Sequence, residues 1–515
     1  MADGRYYITT AIDYVNSRPH IGTAFEKIAA DVLARYHRFK GDDTFFAMGN
    51  DEHSLNVEKE ARKQGMEPLA YCDEMEGQFT EIWQSLSLSY DRFIRTTDPD
   101  HAKAVGELFR RIEARGDIYK DVYRGLYCVS CENFYQEKDL VDGLCPVHKT
   151  PAEEIEEENY FFKLSAYAEK LLAHIEANED FIRPEIRKNE IVNVIKSGLI
   201  DVSVSRSTRG WGIPLPSDDS HVVYVWFDAL INYITAAGFP DDDEKFARYW
   251  PADAHIIGKD ITRFHCIIWP AMLMSAGIAL PRTVYAHGFI TVDGQKISKS
   301  IGNVIDPREL VDEFGADAVR YYFMREVSFE QDGDFSKRQL LVRHNADLAN
   351  DLGNLLNRLA GMTKKYIGDV FPTLDAKEDD GILRDLAKDV ACRYAGHIEN
   401  YQFNDALRAV WELVRRGNQY VEESTPWTLA KDPEKRARLE TVLYNVAESL
   451  RITACLTYPV MPAKAAELLT ALGVTEDPAA MRLDTHTVWR TEPEAGQKLA
   501  VTQPLFPRLE EEATA

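Results

Sequence analysis

The sequence predicts an α/β protein: a doubly wound parallel sheet, split by an insertion and followed by an α-helical bundle. Three observations carry this. Apolar strands alternate with amphipathic helices in two separate stretches, a cysteine-rich segment without that rhythm lies between them, and helical periodicity runs almost unbroken after residue 337.

The first stretch, residues 1–115, begins with the strand RYYITTAI. A helix over Gly22 to Phe39 follows, with apolar residues at 25, 28, 29, 32, 33, 36 and 39; Gly41 is placed to cap it. The strand TFFAM and a helix from Glu52 to Gln64 continue the alternation. Residues 116–221 break the pattern. It resumes over 222–295 with VVYVWFDAL, DAHIIGKD, a long apolar helix from Phe264 to Ala276, and TVYAHGF leading into a hairpin over Asp293-Gly294. A loop and linker helices occupy 296–345. From 346 to 515 the chain reads as a helical bundle, as in FNDALRAVWELVRRGNQYVEES, with strand signal only in the closing residues.

Bulk properties set limits on function. The net charge of -24 excludes a chain that binds nucleic acid through its overall charge, so any such contact needs a local basic surface. The acidic runs Glu153 to Glu158, Asp241 to Glu244 and Glu510 to Glu512 read as solvated surface. No window is apolar enough to span a membrane, and MADGRYYITT lacks the pattern of a secretion signal, so a cytoplasmic protein with no membrane contact is expected. Seven cysteines do not make a disulfide framework. Cys72, Cys266, Cys392 and Cys455 are isolated and are expected to be buried thiols.

The other three cysteines form a motif. Cys128-Val-Ser-Cys131 and Cys145-Pro-Val-His148 supply three thiolates and an imidazole at two-residue spacings, the donor set of a closed tetrahedral zinc site. With four protein ligands no coordination position stays open, so this zinc is expected to be structural, and catalysis must lie elsewhere.

Pro19, His20, Ile21 and Gly22 form a helix mouth directly after the first strand. A helix N-terminus gathers unpaired amides and partial positive charge, which suits phosphate; Gly22 permits close approach and His20 offers a further donor. Alone this is equally a rigid helix start with a surface histidine. Far downstream, "DGQKISKS" places Lys296 and Lys299 with Ser298 and Ser300 on a loop after the hairpin, where two ammonium groups can neutralise a triphosphate.

These two motifs, in this order, resemble the class I aminoacyl-tRNA synthetases, whose "HIGH" and "KMSKS" signatures match His20 to Thr23 and Lys296 to Ser300. Thr23 departs from the second signature histidine and Ile297 from methionine. Within the class the resemblance is to the methionyl branch, carried by TTAIDYVNSRPHIG, GNDEHS, YVWFDALINY and GKDITRFHCIIWPAM.

The resemblance implies a Rossmann-type catalytic domain, ATP with Mg2+, L-methionine and tRNA(Met) as substrates, and one structural Zn2+. It implies catalysis by His20, Lys296 and Lys299. ATP would be held by Pro19, His20, Gly22, Thr23, Gly258, Asp260, Lys296, Ser298, Lys299 and Ser300. Methionine would be held by Ile12, Asp13, Tyr14, Asp51, Trp226, Ala229, Tyr233, Phe264 and His265, aromatic rings being suited to a thioether. Asn354, Arg358 and Trp427 would read the anticodon, with Arg338, Arg343, Arg358, Arg415 and Arg416 as the local basic surface.

A monomer without a further C-terminal tRNA-binding domain is expected. Rival readings are a synthetase for leucine, isoleucine or valine, which carries a larger editing insertion, and a cysteine enzyme, which needs an open zinc. A nucleotidyltransferase or a non-catalytic tRNA-binding relative would leave the insertion or the catalytic motifs unexplained.

Overall fold

The computed structural model describes residues 4–128, 133–135, 140–146, 149–207, 210–297, 302–368, 370–494 and 497–510. Its centre is a seven-stranded parallel sheet. The strands that matter for function are β1 (Arg5–Thr10), β2 (Asp13–Tyr14), β3 (Asp43–Asp51), β4 (Arg92–Arg95), β5 (Ile118–Cys128), β6 (Glu153–Phe162), β7 (Ile182–Arg183), β8 (Ala254–Gly258), β9 (Val284–His287), β10 (Ile290–Val292) and β11 (Gln295–Lys296). The main sheet runs β3-β1-β8-β9-β7, and β3 also takes β2 and β4.

Strand alternation explains the two cores. Tyr6 and Ile8 of β1 point to the face covered by helix α1 (Ile21–Lys40), and this core continues through Tyr321, Trp411 and Tyr444 into the helical bundle. Tyr7 points to the other face, which is closed by Phe109, Phe162, Trp250 and Trp269. As expected, α1 ends at Gly41, whose φ of 100° lets its amide and that of Asp42 close on Arg38 and His37 carbonyls at 3.0 and 2.9 Å. The hairpin is also as expected: Asp293 and Gly294 both take positive φ, 51° and 72°, between paired β10 and β11.

Other expectations change. In VVYVWFDAL, Val222 and Val223 end a strand of a small antiparallel sheet and Val225–Ala229 is helical, with Phe227 packed edge-on to Phe109 and Phe162. The acidic run Glu153 to Glu158 lies in β6, paired antiparallel with β5, and Glu153, Glu154, Glu156 and Glu158 are exposed as expected, while Glu157 is half-buried and accepts hydrogen bonds from the Ser207 amide at 2.9 Å and Asn159 Nδ2 at 3.0 Å. The insertion then returns to the main sheet, where β7 pairs with β9. Cys392 is exposed, since it falls on the outer face of the helix Ile382–Glu399, while Cys72, Cys266 and Cys455 are buried. No strand forms after Phe335 among the described residues; near the end Leu505 and Phe506 pack into the core from an irregular segment.

The bundle is fastened to α1 by a buried ion pair. Arg320 donates to Asp31 at 2.7 Å and to the carbonyls of Val460, Pro459 and Leu86. Burial alone would raise the Asp31 pKa, but the charges of Arg35 and Arg320 outweigh it and hold the carboxyl at about 2.

Candidate active site

The residues singled out above converge at the carboxyl ends of the parallel strands. Ile12 to Tyr14 follow β1, Asp51 ends β3, Gly258 and Asp260 close β8 and His287 ends β9. The chain leaves β1 toward β3 on one side and β8 toward β9 on the other, so a crevice opens between β1 and β8, where doubly wound sheets bind ligands.

His20 caps α1. Its backbone is extended, and its Nδ1 accepts the amides of Gly22 at 3.0 Å and Thr23 at 3.3 Å. Accepting at Nδ1 fixes the neutral tautomer that carries its proton on Nε2. The imidazole thus takes two of the amides that the helix mouth was expected to offer to phosphate. Gly22 is required, because a Cβ there would lie 2.9 Å from His20 Cε1. The same Cβ would lie 3.6 Å from Ile297 Cδ1, so the downstream loop rests on the helix mouth. The Ile21 amide donates to the Ile305 carbonyl at 3.2 Å, and Arg18 pairs with Asp306 at 3.3 Å. Lys296 is exposed on β11, with Asn303 Nδ2 donating to its carbonyl at 3.1 Å. Ser298, Lys299 and Ser300 lie outside the described residues.

The aromatic side of the crevice is built from Tyr14, Trp226, Phe264, Tyr233 and His265. Trp226 stacks on Phe264 with centroids 3.8 Å apart and an angle of 10°, and Tyr14 meets Trp226 edge-on at 6.0 Å. Phe264 and His265 sit on a π-helical turn, Phe264–Ile268, a distortion common at functional sites. His265 Nδ1–H donates to the Ile261 carbonyl at 3.0 Å, so its Nε2 accepts the Tyr233 hydroxyl at 2.7 Å. Burial lowers the His265 pKa to about 4, so the ring is neutral at physiological pH. Ala229 is buried beside this wall and Ile12 is half-buried.

Because β2 and β3 pair with Asp13 opposite Asn50 and Tyr14 opposite Asp51, the two pairs face opposite sides. Tyr14 faces the aromatic wall. Asp13, expected against the amino acid, turns instead to α1, where Lys27 Nζ donates to its carboxylate at 3.2 Å, to Glu26 at 2.8 Å and to the Ala11 carbonyl at 2.6 Å. Glu26 also meets His287 Nε2 at 3.0 Å. Burial raises the Asp13 pKa to about 6 against the pull of Lys27. For Glu26 burial is outweighed by the Lys27 charge and the His287 hydrogen bond, and the pKa falls. Burial likewise raises the pKa of Asp260.

Glu26, Lys27 and His287 were not legible as site residues: on the sequence, Glu26 and Lys27 are two more charges on a helix. On the sequence Asn50 is the alternative to Asp51 for the methionine ammonium. It is fully buried, and neither polar atom of its amide has a hydrogen-bond partner, an expensive arrangement for an interior amide.

Comparison with known proteins decides the family. The family described as tRNA synthetases class I (M) matches residues 6–154 and 138–360, and the anticodon binding domain of methionyl tRNA ligase matches 373–515. Methionine–tRNA ligases of Caldanaerobacter subterraneus and Streptomyces coelicolor are 49% and 44% identical, over 92% and 99% of this chain and 74% and 98% of theirs. The Mycobacterium tuberculosis methionyl-tRNA synthetase in complex with methionyl-adenylate superposes with a TM-score of 0.93 at 45% identity, covering 98% of this chain and 100% of that one. The chain belongs to the methionine–tRNA ligases.

Two further features of a class I synthetase can be placed. In the insertion, Cys128 ends β5 and Cys145 opens a tight turn; both are buried. The Cys145 amide donates to the Thr150 carbonyl at 2.9 Å, Lys149 closes back on the Cys145 carbonyl at 2.8 Å, and Cys128 Sγ lies 3.5 Å from Thr150 Oγ1. Thr150 thus lies against both cysteines, and no group of three or more possible metal ligands occurs among the described residues. Cys131 and His148 lie outside the described residues.

In the bundle, Asn354 is exposed and Arg358 lies one turn further along the helix Asn354–Tyr366, which a π-helical turn precedes. Trp427 leaves 37% of its surface open on the short helix Pro426–Leu429. The basic surface needs correction. Arg343, Arg358, Arg415 and Arg416 pair with Glu326, Glu422, Asp351 and Glu423 at 2.6, 2.5, 3.0 and 2.9 Å, so a phosphate there has to compete with carboxylates already in place.

Proposed function

We propose that the crevice between β1 and β8 joins methionine to ATP and passes the methionyl group to the 3' end of tRNA(Met), for initiation and elongation. The observation that carries this reading is the meeting of the two signature segments: Ile297 rests on the Gly22 helix mouth, and Trp226 and Phe264 stack at the ends of the same parallel strands.

In the first step a methionine carboxylate oxygen attacks the α-phosphorus and pyrophosphate leaves. No side chain is a covalent nucleophile; positioning and charge do the work. His20 Nε2–H, Lys296 and Lys299 stabilise the phosphoryl oxygens, with Pro19, Gly22, Thr23, Ser298 and Ser300 around them, and Mg2+ accompanies the triphosphate. Gly258 and Asp260 take the adenosine. Ile12, Tyr14, Trp226, Ala229, Tyr233, Phe264 and His265 hold the thioether, and Asp51 supplies charge for the ammonium. In the second step the terminal ribose hydroxyl of the tRNA attacks the carbonyl of the mixed anhydride and AMP leaves.

Zn2+ on Cys128, Cys131, Cys145 and His148 would stiffen the insertion and supply no chemistry to either step. The catalytic halves are 1–115 and 222–295, the insertion 116–221, the linker 296–345 and the anticodon domain 346–515. A cytoplasmic monomer fits this reading; among the described residues no helix is long and apolar enough to cross a membrane. Methionine-dependent exchange of pyrophosphate into ATP tests the assignment.

An anticodon role for Trp427 separates the two steps. Trp427→Ala lowers the rate of tRNA charging about 5- to 150-fold, since base stacking on an aromatic contributes about 1–3 kcal/mol, and leaves pyrophosphate exchange unchanged. Steady-state charging beside exchange on the same preparation checks it.

The neutral pocket histidine has a pH consequence. His265 has its folded-state pKa lowered from 6.5 to about 4, so the unfolded chain binds more protons between those values and stability is lost as pH falls from 6.5 toward 4. Thermal unfolding between pH 7 and pH 5 shows a falling midpoint, with a shallower slope in His265→Gln.

A further inference from the structure

Behind the aromatic wall lies a buried group that the reaction scheme leaves unused. Asp228 has no exposed side-chain surface, and each carboxylate oxygen takes one histidine: His53 Nδ1 at 2.7 Å on Oδ2 and His101 Nε2 at 2.7 Å on Oδ1. His101 is fully buried, its other ring nitrogen 3.2 Å from Thr235 Oγ1. The three residues come from different places. His53 is in the GNDEHS segment that carries Asn50 and Asp51, Asp228 is in the helix Val225–Ala229 that carries Trp226 and Ala229, and His101 is in the helix Pro99–Ala114 that supports both from behind. The insertion joins in: Trp211 packs edge-on to His53 at 5.4 Å and donates to the Glu52 carbonyl.

Burial alone would raise the Asp228 pKa, yet His53 and His101 outweigh it and keep the carboxyl ionised. A buried carboxylate tied on both oxygens is costly to disturb and geometrically exacting. Trp226, by contrast, has an indole N–H with no hydrogen-bond partner, so ring stacking and the backbone of its own helix set its position, and Asp228 is two residues along that helix.

We infer that Asp228, clamped by His53 and His101, is a positioning residue that fixes the Trp226 wall against the Asn50–Asp51 segment and so sets the width of the amino-acid slot. It touches neither ATP nor the reacting atoms. This inference rests on the proposed methionine pocket. Loosening the clamp therefore weakens methionine binding and spares ATP, whereas a merely structural residue would move both or only the stability.

The test uses the full chain and pyrophosphate exchange, with KM for methionine and for ATP measured separately and melting temperature as the folding control. His53→Ala raises KM for methionine about 10-fold or more and leaves KM for ATP within about twofold. His53→Asn, whose amide nitrogen can stand where Nδ1 stood, restores most of the loss; Asp228→Asn follows His53→Ala. Equal changes in both KM values, or a folded His53→Ala with unchanged KM for methionine, overturn the inference. Where Asp228→Asn does not fold, the His53 pair decides. If the wild type shows exchange with ATP but with an amino acid other than methionine, the pocket reading fails while the clamp is still judged on that substrate.

Discussion

Replacing His20 with alanine lowers the rate of methionyl-adenylate formation about 10²–10³-fold, the effect of removing one preorganised donor from a developing charge. Two functions are lost together: the Nδ1 cap on the Gly22 and Thr23 amides, and the Nε2–H proposed to meet the phosphoryl oxygens. They can be separated. A lost N-cap costs about 1 kcal/mol of stability, and His20→Asn keeps a capping oxygen while offering nothing at the distance of Nε2. His20→Asn thus melts like the wild type and stays as slow as His20→Ala in pyrophosphate exchange. Recovery of exchange by His20→Asn would reduce His20 to a cap.

The largest effect on stability is expected at Lys27. Its ammonium is wholly buried among Asp13, Glu26 and the Ala11 carbonyl, so Lys27→Met strands two carboxylates in the interior, a loss of about 3–5 kcal/mol. Neutralising the partners as well, in Lys27→Met with Asp13→Asn and Glu26→Gln, recovers most of it. The loss depends on pH. Asp13 has a folded-state pKa of about 6, raised from 3.8, so its ionisation costs stability as pH rises through 6 and it is largely neutral at pH 5. A neutral Asp13 has less need of the ammonium, and Lys27→Met is less damaging at pH 5 than at pH 7.5. Urea unfolding at the two values measures this; an equal loss at both would mean that Asp13 is not the partner that matters.

What the sequence made legible followed from local physics. The amphipathic run from Gly22 to Phe39 with a glycine behind it became α1 with Gly41 as its left-handed cap, and Asp293-Gly294 became a two-residue hairpin because both residues tolerate positive φ. The resemblance brought Tyr14, Trp226, Tyr233, Phe264 and His265 together, and they meet at one wall. Polar contacts between distant elements were not legible. Nothing in a single helix says that Lys27 is buried, because its counter-charges come from β2 and from its own neighbour, and the strand register that turns Asp13 away from Tyr14 exists only once β2 pairs with β3. The ion pairs of the basic surface were illegible for the same reason: arginines were counted along the chain, while the carboxylates that hold them come from other turns and helices.

The central claim is that this crevice activates methionine. Pyrophosphate exchange into ATP, run with methionine and separately with leucine, isoleucine, valine and cysteine, tests it most directly. Exchange is robust with methionine and falls by orders of magnitude with the others. Exchange that is absent with methionine, or as strong with any of the others, would contradict it.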